Sequence, residues 1–118
     1  MTINNIDSTG MNMRERVVEA RRHMGAIFGN KGHADYFLLD TDVAARYGIS
    51  TPTVRKIRRG MGAGSRDERI MEAVARHNPL QMTIDDMLCA IGPRGVTYHG
   101  LYMLLRARGV VFMRKNKG

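Results

Sequence analysis

The densest chemistry in this 118-residue chain lies at residues 51–60, Thr-Pro-Thr-Val-Arg-Lys-Ile-Arg-Arg-Gly, where Arg55, Lys56, Arg58 and Arg59 put four cations into five positions without an acid. If Val54 and Ile57 turn inward on a helix, Thr51, Arg55, Lys56 and Arg59 lie on its outer side and Arg58 at the edge. Like charges this close repel one another on an ordinary surface, and a polyanion relieves that repulsion. A nucleic acid suits these side chains best. Arginine can bond guanine O6 and N7 together, threonine can touch a thymine methyl, and neighbouring cations can neutralise phosphates. The plain alternative is a solvated basic face.

Other reactive residues do not assemble into a catalytic set. His23, His33, His77 and His99 fall in four separate segments. His33-x-Asp35 is the nearest thing to a metal-ligand pair, and it has no evident third member. Asp85 and Asp86 follow Thr83 in a first helical turn, where acids complement the helix dipole. The single cysteine, Cys89, falls on an apolar stripe and is expected to be buried and inert. One cysteine forms no internal disulfide and no sulfur-rich zinc site, which points to a reducing, cytoplasmic compartment. The expectation is a non-enzyme without cofactor or metal.

The basic helix must be held by something, and residues 40–60 supply it. Ala44 is small where two helices cross, Gly48 suits a left-handed turn, and Val43, Tyr47, Ile49, Val54 and Ile57 supply a shared core. Ser50 is a good N-cap for the second helix, and Pro52 lies in its first turn, where a missing N–H costs little. This pattern resembles the helix-turn-helix of bacterial and phage repressors and is especially close to the lac-repressor type, over residues 40–60 only. The resemblance implies that Thr51, Arg55 and Arg59 read bases. Lys56 and Arg58 are then assigned to phosphates, with Thr41 and Ser50 at helix N-termini donating further phosphate bonds.

Around this motif the chain reads as mainly α. Residues 1–11 are polar and unpatterned, an arm. Asn12 and Glu15 form a capping box for a helix with Met13, Val17, Ala20, Met24 and Ile27 on one face and Arg14, Arg16, Arg21 and Arg22 on the other. Residues 33–39 are expected to be a short helical connector. Gly60 to Ser65 alternates glycine with small or flexible residues and reads as a linker at 61–65; a phosphate loop would need a preceding strand and a Gly-Lys-Ser/Thr ending.

The domains expected are thus 12–60 and 66–118. The second reads as three helices and a short C-terminal strand at Val110–Met113, the order of a winged-helix unit with its wing cut short. Its helices start at Ser65 with Glu68, at Thr83 with Asp86, and near Thr97. Val96, Leu101 and Leu104 repeat the spacing of Ile49, Val54 and Ile57, so Tyr98, His99, Tyr102 and Arg106 face outward. They can touch DNA, or they can form a dimer or partner-protein patch, since aromatics favour interface cores.

Charge and size frame these readings. The chain carries 19 Lys and Arg against 11 Asp and Glu, a net +8, which attracts polyanions. No apolar stretch approaches the roughly 20 residues of a membrane span, and MTINNIDSTG has no signal-peptide run. Two units of this size have small cores and are expected to pack together or form a homodimer. A similar helix-turn-helix accompanies the nuclease domains of homing endonucleases, whose catalytic His and Asn constellation is missing here. The expected function is a sequence-specific duplex DNA-binding regulator of repressor type, from a bacterium or phage. The competing reading is a small basic phage-type inhibitor or adaptor that binds an acidic host protein, such as the transcription machinery.

Overall fold

Capping chemistry sets where the helices begin. In the computed structural model, which describes residues 10–92 and 94–113, Asn12 accepts from the Glu15 amide and Glu15 accepts from the Asn12 amide, each at 2.9 Å. This box opens α1, Met13–Phe28. Then follow α2, Asp40–Tyr47, and α3, Thr51–Gly60. The remaining helices are α4, Arg66–Ala75; α5, Ile84–Ile91; and α6, Tyr98–Ala107, with a 3-10 turn at Pro79–Gln81. The fold is mainly helical, and no strand occurs among the described residues.

The chain divides into two units, Met1–Arg66 and Asp67–Gly118. In the first, α1, α2 and α3 share a core of Ala20, Met24, Val43, Ala44, Tyr47, Ile49, Val54 and Ile57. Between α2 and α3, Gly48 adopts φ 64°, ψ 36°, a left-handed conformation that disfavours any residue with a Cβ. The Ile49 amide then reaches back to the Ala44 carbonyl at 3.1 Å, closing α2 in Schellman fashion and turning Ile49 into the core. In the second unit, α4 buries Ile70, Ala73 and Val74, α5 buries Ile84, Met87 and Ile91, and α6 buries Leu101 and Leu105. Thr83 and Asp86 form the capping box of α5, and Thr97 caps α6 by accepting from the Gly100 amide.

Four local expectations are corrected. Residues 33–39 are turns rather than a helix: the His33 Nδ1 accepts from the Asp35 amide at 3.0 Å, and local bonds of this kind compete with helical ones. Val110–Met113 is not a strand, because the Met113 amide donates to the Pro79 and Met82 carbonyls of the 3-10 turn instead of to a neighbouring strand. Leu105, not Leu104, is fully buried on α6. The loop before α6 spans 92–97, against 48–50 before α3, so the spacing of one helix does not transfer to the other. Cys89 is exposed, since it sits two positions, about 200°, around α5 from the buried Met87.

Candidate nucleic-acid interface

The rotation of α3 is set by Val54, fully buried, and by Ile57. Lys56 and Arg59 consequently point to solvent, and Arg55 and Thr51 are half-buried. Ser50 opens the helix in an extended conformation, its hydroxyl accepting from the Thr53 amide at 3.2 Å and pairing with the Thr53 hydroxyl at 2.7 Å. Thr41 is exposed in the first turn of α2.

Arg58 departs from the expected pattern. Its side chain is 6% exposed, so it does not lie at the edge of the outer face and is not placed to meet a phosphate. Its Nε donates to Asp40 Oδ1 at 3.0 Å, its Nη2 to Asp40 Oδ2 at 3.1 Å, and its Nη1 to the Ala63 carbonyl at 3.0 Å. A guanidinium this far from water needs such a partner set. The cause is helical geometry: Arg58 follows Val54 by four residues and so shares its inward stripe. The same Asp40 carboxylate stands 4.0 Å from Arg55 Nε. Asp40, absent from the sequence-based set, therefore joins the start of α2 to both arginines, and the one available signal was that shared Val54/Arg58 stripe.

Two cations of α1 are also engaged. Arg16 Nη1 donates to the Gly48 carbonyl at 3.4 Å, bracing the turn between α2 and α3. Arg22 pairs with Glu19, and that hydrogen bond holds the Glu19 carboxyl below its usual range. On the inner side, His23 Nε2 lies 3.4 Å from Arg46 Nη1 and 3.9 Å from Asp35 Oδ2, and its ring meets Tyr47 at 5.4 Å between centroids. Burial pushes the His23 imidazole below its usual range, and the nearer Arg46 outweighs Asp35. The His33 Nδ1 bonds the Asp35 main-chain amide, and no group of three potential metal-ligating side chains occurs among the described residues.

The second unit presents a separate outer surface. Tyr98 is 49% exposed, and His99 and Arg106 are exposed along the same helix. Arg106 Nη1 donates to the Tyr102 hydroxyl at 3.1 Å, and Tyr102 packs edge-on against Phe112 at 6.0 Å. That hydrogen bond raises the Arg106 guanidinium above its usual range. α6 thus carries aromatic rings and a fixed guanidinium on one side.

Chemically, α3 offers exposed cations on its outer face, and α6 offers rings beside a cation. No described helix is long and apolar enough to cross a membrane. Set against known protein families, curated proteins and solved structures, the chain has no match in any of the three.

Proposed function

We propose that the protein binds duplex DNA sequence-selectively and acts as a helix-turn-helix regulator of the repressor type, with α3 as its recognition helix. The observation that carries this reading is the sorting of charge on α3. Lys56 and Arg59 are exposed and Arg55 is half-exposed, while the nearby carboxylate of Asp40 is occupied by buried Arg58. The face that would enter a major groove is cationic, and its nearest acid is already neutralised.

In this reading Thr51, Arg55 and Arg59 meet base edges and Lys56 meets phosphate. Ser50 and Thr41 lie at helix starts, where phosphate is favoured. Arg58 positions α3 and does not contact DNA. Tyr98, His99 and Arg106 of the second unit add an outlying contact. Two copies would place their recognition helices about 34 Å apart, one turn of DNA.

Selection from a random duplex pool by the purified protein is expected to enrich one motif, whose symmetry reports whether one copy or two bind. Arg55→Ala is then expected to cost about 1–3 kcal/mol on the selected site and to relax preference at one base pair. Equal losses on selected and random DNA would remove the base-reading role.

A further inference from the structure

The second unit contains a cavity of which the duplex reading uses Arg106 alone. It has a volume of about 290 Å³ and is lined by Arg106, Gly109, Val110, Val111 and Phe112. This is near the lower end for small-ligand sites, roughly 300 Å³, so it admits a flat ring with its sugar and not a large cofactor.

Its walls differ in chemistry. Phe112 supplies a half-buried ring steadied against Tyr102. Arg106 supplies a guanidinium already oriented by the Tyr102 hydroxyl. The main-chain groups of Val111 and Phe112 make no hydrogen bond among the described residues, so donors and acceptors stand open beside the ring. Gly109, at φ 68°, turns the chain out of α6 and brings these groups round to Arg106.

Three occupants can be weighed against those walls. A second copy of this chain is disfavoured by charge: from Met87 to Met113 there are three Arg and no acid, so two such surfaces repel. An acidic side chain would use Arg106 and leave the ring without a partner. A nucleotide uses all three: its base lies on the ring, the base edge meets the open peptide groups, and its phosphate meets a cation. A base paired and stacked within a duplex cannot enter such a pocket, whereas an unpaired one can.

We infer that the cavity between Arg106 and Phe112 holds an unpaired base of single-stranded nucleic acid. The inference does not rest on the duplex reading of α3. The cavity residues give the strand its base contact, and Arg106 and Arg108 track its backbone. Binding tolerates different bases, because stacking reads a π-face rather than a hydrogen-bonding pattern.

The test is fluorescence anisotropy of the full chain with a labelled oligothymidylate and with an abasic strand of equal length and charge. The intact strand is expected to bind roughly 5–150-fold more tightly, the stacking contribution of one base. Phe112→Leu keeps an apolar side chain against Tyr102 and removes the ring face, and is expected to erase that difference with an unchanged melting temperature. Arg55→Ala is expected to leave the preference for the intact over the abasic strand unchanged, which separates this site from α3. Equal affinity for the abasic strand, or a Phe112→Leu variant that still prefers bases, would overturn the inference.

Discussion

Arg58 places its guanidinium where water scarcely reaches, and its four hydrogen bonds to Asp40 and Ala63 make that tolerable. Breaking a buried pair from one side costs more than removing both charges together. Asp40→Ala, which strands the guanidinium, is therefore expected to lose about 3–5 kcal/mol in urea unfolding. Arg58→Met, which leaves a partly hydrated carboxylate, should lose less, and the double variant less than the two summed. His23 makes a second residue-scale prediction. Its folded-state pKa lies below the ordinary histidine value of 6.5, so the unfolded chain takes up the proton first as pH falls. Stability is then flat well above pH 6.5 and declines as pH falls through it. A melting series in buffers of matched ionic strength checks the sign, and His23→Gln should flatten the slope.

At the scale of elements, the left-handed Gly48 sets the hand-over from α2 to α3. A Cβ there meets Arg16 Nη1 at 3.4 Å, an ordinary contact, so the cost of Gly48→Ala is backbone strain rather than a clash. The expected loss is about 1–2 kcal/mol, a fall of several degrees in melting temperature. This turn was legible in the sequence, as were the starts of α1, α3, α5 and α6. Asn12, Ser50, Thr83 and Thr97 act on amides three residues away, and such signals survive without tertiary knowledge. What depends on docking was less legible. Leu105 replaced Leu104 and Cys89 turned outward because docking fixes which face of a helix is buried, and residues 110–113 tied themselves to the 3-10 turn, a partner distant in sequence. Arg58 belongs here in part: its place four residues after Val54 turns it inward, and Asp40, 18 residues earlier, supplies the partner that lets a cation stay there.

For the whole molecule, the net charge of +8 governs association with any polyanion. On the proposed duplex reading, affinity falls with added salt, each phosphate contact adding about 0.9 to the slope of log K against log salt concentration. Lys56→Ala is expected to weaken selected and random DNA alike and to reduce that slope by about 1, measured by titration at several salt concentrations. The Asp40–Arg58 pair has one more consequence. It assigns the work of holding α3 to a residue that faces inward, leaving exposed Lys56 and Arg59 free of that duty. The outer positions can therefore drift, or be redesigned, with little loss of fold. A lineage carrying this scaffold could change the sites it recognises by rewriting a few outward side chains while the helix beneath them stays in place.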